Sequence, residues 1–285
     1  MANSRRSYVA LGRRLEGVPE VITLGVRANF TDYAPREQDL LRSANVVLYP
    51  TLNYAQYFTT MGKQIFPSLE TCLFADEKIK QSTLFQLLQL PHPRTMIYYH
   101  LHHDHILDDF EFPFVAKVAR ASARGRGIFK IQDEVALDKY LRTNPIAYIQ
   151  EYLPHRRDLR VILINYEAVV AYWRLNPPGD FRTNLLQGGS IDFDVVPRDA
   201  IELAQTVARK CRFDDVGLDF IEREGAWYVI EANMLYGRQG LRLKGLDLKE
   251  IIRGKLLSGE LITKARKNED TKKNRDGNYP IHVFQ

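Results

Sequence analysis

The chain has 285 residues, of which 45% are hydrophobic, so it can form one large domain or two to three smaller ones. No run approaches the roughly 18 apolar residues of a membrane-spanning helix, and the basic N-terminus lacks an apolar signal segment, so we expect neither feature. The net charge of +5 is a mild excess of basic residues, and nucleic acid is therefore not the expected partner.

The first 66 residues predict a short α/β unit. The apolar runs VITLGV (21–26) and VVLY (46–49) are typical of buried strands, and PREQDLLRSA between them predicts a helix that begins at a proline. A Gly-rich phosphate loop is absent from this segment, so a complete dinucleotide-binding fold is not predicted.

Residues 67–145 predict a second unit that contains both helices and strands. A helical run begins at Ser68 and extends to Leu90, with Lys78 near its middle, and the following PHP ends it. MIYYH, FPFVAKVA and IFKI predict strands, and DEVALDKYLRT predicts an amphipathic helix.

Residues 146–262 predict a third unit. AYIQEYL, RDLRVILIN and AVVAYWRL indicate successive strands, and a helix is predicted over 199–212. GLDFIERE and AWYVIEAN predict a hairpin that turns at Glu224 and Gly225. Because strands cluster instead of alternating strictly with helices, the predicted fold class is α+β.

Residues 263–285, which are rich in charge, predict a basic, flexible tail. A nucleic-acid-binding arm is the less favoured alternative, because acidic residues interrupt the lysines and arginines. Only two cysteines are present, Cys72 and Cys211, and both fall in predicted helices as small buried side chains. Two cysteines do not make a disulfide framework, so the expected compartment is a reducing cytoplasm.

The predicted hairpin carries oxygen ligands on one face. Glu231 and Asn233 are two residues apart on one strand and therefore point the same way, and Asp219 can lie opposite them on the partner strand. Two carboxylates and an amide oxygen suit a hard cation such as Mg²⁺, which also takes ligands from phosphates. The alternative is that both acids are ordinary exposed strand residues, although each follows apolar neighbours.

A second set of residues suits phosphate groups. Lys117 lies inside an apolar strand, where an ammonium group is costly unless it meets an anion. The backbone amides of the small-residue turn that follows, which includes Ser122, Gly125 and Gly127, could bind a phosphate chain. Alone, such a turn is more often a simple hairpin connection.

Two further segments offer groups for a nucleotide. YIQEYL could contact an adenine ring through Glu151, Tyr152 and Leu153, or it could be a core strand. Hydrogen-bond donors suited to a transferring phosphoryl group follow on the strand AVVAYWRL and in the loop GDFRTN. The alternative interpretation of GDFRTN is an ordinary solvated loop. The donors are Arg174, Arg182, Thr183 and Asn184.

The order of these motifs resembles the ATP-grasp superfamily, and within it the RimK-like branch of ribosomal-protein glutamate ligases and related peptide ligases. The resemblance covers residues 67–262 and implies that ATP is held between two α+β subdomains. It matches Lys78 and Lys117 to the ATP lysines, and Asp158 to an acidic residue near the nucleotide. It also places residues 151–153 at adenine and residues 182–184 at the phosphates. Its implied metal ligands are Asp219, Glu231 and Asn233.

The resemblance implies an enzyme that uses ATP with Mg²⁺ or Mn²⁺ to join a carboxylate to an amine through an acyl phosphate. The implied acceptor is a peptide or protein, and relatives commonly form homo-oligomers. Arg160 and Arg238 are the candidate substrate residues. A small-molecule kinase of the same fold and a nucleotide-binding regulatory protein without turnover stay open as alternatives.

Four features depart from the pattern of the family or lie outside it. The Gly-bearing turn carries Arg124 and Arg126, where relatives have small or uncharged residues, and MLYGRQGL follows EAN in place of the commoner turn. The N-terminal unit is short, which leaves the substrates open. The histidine-rich segment HLHHDH (100–105) is predicted to be an exposed loop, with a zinc or nickel site as the less favoured alternative.

Overall fold

The computed structural model describes residues 8–119, 127–177 and 189–263. These residues form helices and three separate β-sheets, which confirms the predicted α+β class. Within the described ranges, none of the helices has the length and apolar character needed to cross a membrane. The C-terminal tail falls almost wholly outside the described residues.

The N-terminal unit is a parallel four-stranded sheet in the order β2-β1-β3-β4. Its strands are β1 (Tyr8–Ala10), β2 (Val21–Thr23), β3 (Val46–Leu48) and β4 (Gln64–Phe66), and its helices are α1 (Pro35–Ser43) and α2 (Leu52–Thr60). The prediction of about two strands and one helix was therefore incomplete. Each strand has only three residues, which is too short for an alternating pattern to show.

The predicted long helix of residues 68–90 is wrong in one respect, because it consists of α3 (Leu69–Phe74) and α4 (Lys78–Leu87). The break lies at Asp76, whose φ is +67°. The backbone N–H of Asp76 donates to the carbonyl of Ala232 in the third sheet, at 2.9 Å. This long-range contact replaces a helical hydrogen bond and makes Lys78 the first residue of α4.

The second sheet is antiparallel, in the order β5-β8-β6-β7. It comprises β5 (Thr95–Tyr99), β6 (Phe114–Val118), β7 (Ile128–Ile131) and β8 (Ile146–Glu151), with α5 (Ile106–Asp109) and α6 (Glu134–Leu141). Because β8 pairs with β5 and β6, this sheet extends beyond the predicted boundary at residue 145. The histidine-rich segment is a 3-10 helix, His100–His105, and not a loop.

The third sheet has the order β11-β10-β9-β12-β13. Its strands are β9 (Arg157–Ile164), β10 (Glu167–Leu175), β11 (Ser190–Asp192), β12 (Asp215–Arg223) and β13 (Ala226–Asn233). Helix α7 (Arg198–Cys211) packs on one face, together with the core residues Trp173 and Trp227, whose rings lie 5.9 Å apart.

The opposite face of the third sheet packs against the N-terminal sheet and the C-terminal helices. These helices are α8 (Gln239–Leu243), α9 (Leu248–Leu257) and α10 (Glu260–Thr263). Ile162 and Tyr172 are fully buried members of this second core. Since side chains alternate along a strand, Arg160 and Arg174 share this face with them. The sheet therefore changes from apolar to charged along one face.

Candidate functional site

The charged end of this face holds a buried network of ion pairs. The guanidinium of Arg160 forms a two-pronged pair with the carboxylate of Asp219, in which Nη2 lies 2.7 Å from Oδ2. Arg174 forms a second two-pronged pair with Asp158, at 2.7 and 2.6 Å, and its Nη2 also lies 2.9 Å from Oδ2 of Asp219. Two parallel bonds to one carboxylate fix the orientation of each arginine.

This network determines the charge of Asp219, which is 1% exposed. Burial alone would raise the pKa of Asp219, but Arg160 and Arg174 together hold that pKa below its usual value. Asp219 is therefore ionised and already neutralised within the fold. Arg160, a predicted substrate residue, is itself buried against Asp219 and does not face solvent.

The three predicted metal ligands lie together. Asp219 is directly opposite Glu231 in the ladder between β12 and β13, and Asn233 is the last residue of β13. The amide nitrogen of Asn233 lies 3.5 Å from Oδ2 of Asp219, and Lys78 lies 3.4 Å from Glu231. Carboxylate and amide oxygens are the types of ligand that magnesium takes from proteins, with phosphate or water completing its shell, so the chemistry of this donor set suits the ion.

Lys117 faces this group from the second sheet. It is 7% exposed, and its ammonium group lies 5.5 Å from the centre of the Tyr148 ring. Burial, with Lys78 as a like-charged neighbour, lowers the pKa of Lys117 to about 8, although Glu231 and Asp219 act in the opposite direction. No carboxylate of the described residues forms an ion pair with it. A buried cation of this kind suits an anionic ligand.

The predicted phosphate turn is described only at its end. Gly127 has a φ of +88°, and its carbonyl accepts a hydrogen bond of 2.7 Å from the N–H of Val118, so it closes the connection between β6 and β7. Ser122 and Gly125 lie outside the described residues, as do Arg124 and Arg126. The same holds for the predicted phosphate and catalytic residues of the GDFRTN loop, which are Arg182, Thr183 and Asn184.

The predicted adenine segment lies at the end of β8. Glu151 accepts a hydrogen bond of 2.6 Å from the backbone N–H of Arg94, while Leu153 is buried. The ammonium of Lys130 lies 4.0 Å from the centre of the Tyr152 ring. Lys130 is on β7, which pairs with β6, the strand of Lys117. The predicted adenine segment therefore contacts the strand next to that of Lys117.

The sequence did not indicate how the end of β13 is held. The carboxylate of Asp76 accepts from the N–H groups of Met234 and Leu235, at 3.2 and 3.1 Å. Gln81 accepts from the N–H of Ala232 at 2.6 Å, and its own side-chain amide nitrogen is buried without a partner among the described residues. These contacts fix the backbone on both sides of Asn233, and no local pattern could reveal them because each spans more than 150 residues.

Two other groups of predicted residues stay apart from the network. Arg238 is exposed at the start of α8, and no described residue forms an ion pair with its side chain. Within the 3-10 helix, the rings of His100 and His103 lie 5.7 Å apart. Across the described ranges, no set of three or more His, Cys, Asp or Glu side chains is placed to hold a metal ion.

The chain is similar to several known proteins. The sequence model of the RimK-like ATP-grasp domain matches residues 75–254. Over 202 residues the chain is 28% identical to coenzyme gamma-F420-2:alpha-L-glutamate ligase of Methanococcus maripaludis. This alignment covers 67% of this chain and 70% of that protein. Over 143 residues it is 29% identical to ribosomal protein bS6–L-glutamate ligase of Escherichia fergusonii, covering 48% and 47%. The chain thus spans about half the length of that second relative.

Solved structures establish the fold. A RimK-domain ATP-grasp protein from Sphaerobacter thermophilus superposes with a TM-score of 0.65 at 13% identity, over 87% of this chain and 98% of that one. D-alanine–D-alanine ligase from Bacillus anthracis superposes with a TM-score of 0.62 at 11% identity, over 85% and 86%. The predicted ATP-grasp fold is therefore confirmed, and identities this low carry no more than the fold.

Proposed function

Because this chain belongs to the RimK-like ATP-grasp family, we propose that it is an ATP-dependent ligase that joins a carboxylate to an amine. The observation that carries the proposal is the position of Lys117. It is a buried ammonium group without an ion-pair partner among the described residues, and it lies within electrostatic reach of Glu231 and Asp219 on another sheet. A polyphosphate bound between the two sheets would supply the missing negative charge.

Each charged group has a distinct proposed task. Lys117 and Lys78 bind the phosphates, and the segment of Glu151, Tyr152 and Leu153 binds adenine through backbone groups and by packing against the adenine ring. The oxygens of the paired hairpin strands hold Mg²⁺ or Mn²⁺, which supplies neutralisation of phosphate charge. The proposed metal ligands are Asp219, Glu231 and Asn233.

The reaction needs no nucleophile from the protein. A substrate carboxylate attacks the γ-phosphorus of ATP and releases ADP, and an amine then displaces phosphate from the acyl phosphate to form an amide. Arg174 is a positioning group in this scheme, since Asp158 holds its guanidinium at 2.6 Å and aims it at Asp219. Because its guanidinium is paired with both carboxylates, its task in this scheme is to hold Asp219 in place.

The relatives support ligation over the two alternatives. The two relatives compared above are named as glutamate ligases, and one is named for a ribosomal protein. This favours glutamate or a similar amino acid as one substrate and a peptide or protein as the other, in place of a kinase reaction or binding without turnover. Cys72 and Cys211 are buried and form no disulfide, which suits the reducing cytoplasm that we propose as the compartment.

The test combines nucleotide binding with turnover. Mg-ATP at about 100 times its dissociation constant should stabilise the wild type by about 2.7 kcal/mol in a thermal-shift titration. Lys117→Met and Glu231→Gln should remove most of this shift. Glu224→Gln is the matched control, since Glu224 is exposed at the far end of the same hairpin.

Turnover distinguishes the ligase from its alternatives. We expect ADP release only when a carboxylate and an amine are both present, and mass spectrometry should then find the amide. A stable phosphorylated product without amine would instead show a kinase. Stabilisation by Mg-ATP with no ADP under any substrate combination would show binding without turnover.

A further inference from the structure

The short junction between α3 and α4, residues 75–77, has a backbone that few residue types adopt readily. Helix α3 ends at Phe74, and α4 begins at Lys78. Asp76, between them, has a φ of +67°, in the left-handed region where aspartate, asparagine and glycine are enriched. The side chain of Asp76 is exposed, so packing does not hold this conformation in place. The hydrogen bonds of the junction are therefore what stabilises it.

These hydrogen bonds bind the chain on both sides of Asn233. The backbone N–H of Asp76 donates to the carbonyl of Ala232 at 2.9 Å. Oδ2 of Asp76 accepts from the N–H groups of Met234 and Leu235, at 3.2 and 3.1 Å. A charged acceptor makes hydrogen bonds that are roughly twice as strong as those between neutral groups. One residue of the junction thus holds the backbone before and after a proposed metal ligand.

The position of β13 in its sheet makes this support important. Strand β13 is an edge strand, so one of its sides has no neighbouring strand to bind its backbone. Its last ladder pair with β12 is at Asn233, and Met234 and Leu235 follow beyond the ladder. Arg14 binds the carbonyl of Met234, through Nη2 at 2.9 Å. The two N–H groups of this segment are instead bound by the carboxylate of Asp76.

A small shift of this segment would matter to a bound metal ion. Magnesium requires nearly ideal octahedral geometry, with ligand distances of about 2.0–2.1 Å. The side-chain amide of Asn233 lies 3.5 Å from Asp219, so the backbone of Asn233 determines whether its oxygen can reach an ion held by the carboxylates. The same junction begins α4 at Lys78, which lies 3.4 Å from Glu231. The metal strand and a proposed phosphate lysine therefore meet at this junction.

We infer that Asp76 is a positioning residue of the proposed metal site, which holds the backbone of Asn233 so that its amide oxygen can bind the ion. Asp76 acts through the N–H groups of the next two residues and does not itself bind the ion. The inference rests on the proposed function for the presence of Mg-ATP at this site. Binding of Mg²⁺ with ATP can nevertheless be measured without turnover, so the two can fail separately.

The test uses two variants of Asp76 that both tolerate a positive φ. Asp76→Gly removes the carboxylate, whereas Asp76→Asn keeps an oxygen that can accept the same hydrogen bonds. Asp247→Ala is the matched control, because Asp247 is an exposed carboxylate that accepts from the backbone N–H of Lys249 at 2.8 Å, at the start of α9. This control also loses a bond between a carboxylate and the backbone, but not one next to Asn233.

Mg²⁺ is titrated into the full chain at a fixed ATP concentration, and the thermal shift gives the half-saturating Mg²⁺ concentration. The equilibrium between Mg²⁺ and ATP in solution is the same for every variant, so differences between variants report on the protein. We expect Asp76→Gly to raise the half-saturating concentration about tenfold, as for loss of a group that orients a metal ligand. Asp76→Asn should restore most of this loss, and Asp247→Ala should not change the concentration. ATP binding in the presence of EDTA should be unchanged in all three variants.

A double-mutant cycle with Asn233→Ala completes the test, since Asp76→Gly should have no further effect once the ligand that it positions is gone. The inference is overturned if Asp76→Gly lowers only the free energy of unfolding and leaves the Mg²⁺ dependence unchanged. It is also overturned if the full effect persists in Asn233→Ala, or if Mg-ATP does not bind the wild type. Failure of the ligase function alone gives a different result, in which Mg²⁺ binding depends on Asp76 but no carboxylate and amine release ADP.

Discussion

Replacing Arg14 by methionine should destabilise the fold strongly, because this residue connects the N-terminal unit to the third sheet. Its Nη1 lies 3.2 and 3.0 Å from the two carboxylate oxygens of Asp215. The hydroxyls of Tyr49 and Tyr236 donate to the same carboxylate at 2.8 and 2.6 Å. Asp215 is completely buried, so these three side chains replace water around its charge.

The size of the effect follows from the burial of the pair. Burial alone would lower the pKa of Arg14, but Asp215 and the two tyrosines outweigh burial and raise it, so the arginine is held as a cation. Removing one partner of a buried pair costs about 3–5 kcal/mol, since the other charge is left buried. The two tyrosine hydroxyls remain bound to Asp215, so we expect a loss near the lower limit, about 3 kcal/mol.

Urea unfolding followed by tryptophan fluorescence measures this loss, and a double-mutant cycle assigns it to the pair. Arg14→Met and Asp215→Asn should each destabilise, and the double variant should lose at least about 1 kcal/mol less than their sum. Arg13→Met is the control, since its exposed side chain should change the free energy of unfolding by no more than about 0.5 kcal/mol. If Arg14→Met also stays within that limit, the connection does not stabilise the fold as argued.

Three further variants test other buried groups by their unfolding free energy. The pKa of Lys117 is about 8 in the folded protein and 10.5 for an ordinary lysine, as in the unfolded chain. Between pH 8 and pH 10.5 the unfolded chain therefore binds more protons than the folded protein. The free energy of unfolding should therefore rise by up to about 3 kcal/mol as pH rises through this range, and a profile of Lys117→Met with the same rise would contradict this assignment. Burial raises the pKa of Asp214 from 3.8 to about 7, so stability should fall as pH rises between these values, and Asp214→Asn should flatten that part of the profile. A Cβ at Gly240 would lie 2.2 Å from the ring of Tyr172, so Gly240→Ala should lower stability by about 1–3 kcal/mol, and an unchanged melting temperature would show that the ring moves aside freely.

The hairpin that carries the proposed metal ligands could be predicted from the sequence because its evidence is local. Alternation with a period of two places Glu231 and Asn233 on one face, and the turn at Glu224 and Gly225 sets which strand residues pair. The turn by itself would pair Asp219 with Ile230, and a bulge at Ile230 of β13 shifts the register so that Asp219 lies opposite Glu231. The burial of Lys117 was predicted in the same way, from the apolar residues on both sides of it.

The residues that hold this hairpin could not be predicted, because their partners are distant in the chain. A continuous apolar pattern predicted one helix through Asp76, yet the contacts of Asp76 with Ala232, Met234 and Leu235 break it. Helix propensity contributes well under 1 kcal/mol per residue, so a few long-range hydrogen bonds are enough to override it. Arg14 was overlooked for the same reason, since nothing near it in the sequence indicates a partner at Asp215.

The order of the motifs along the chain indicates the site because the second and third sheets bring residues that are distant in the sequence close together. Arg160, Arg174, Asp219 and Glu231 lie on neighbouring strands of one sheet, and Lys117 lies on another sheet within electrostatic reach of the two acids. Each strand contributes one or two charged residues, so each motif is short and weak when taken alone. The carboxylate of Asp219 is balanced by arginines of the same sheet, whereas Lys117 has no ion-pair partner among the described residues. Among the described residues, the buried carboxylates of the third sheet are balanced by arginines of that sheet, while Lys117 is a buried cation without an ion-pair partner, so a nucleotide phosphate beside Lys117 would complete the charge balance.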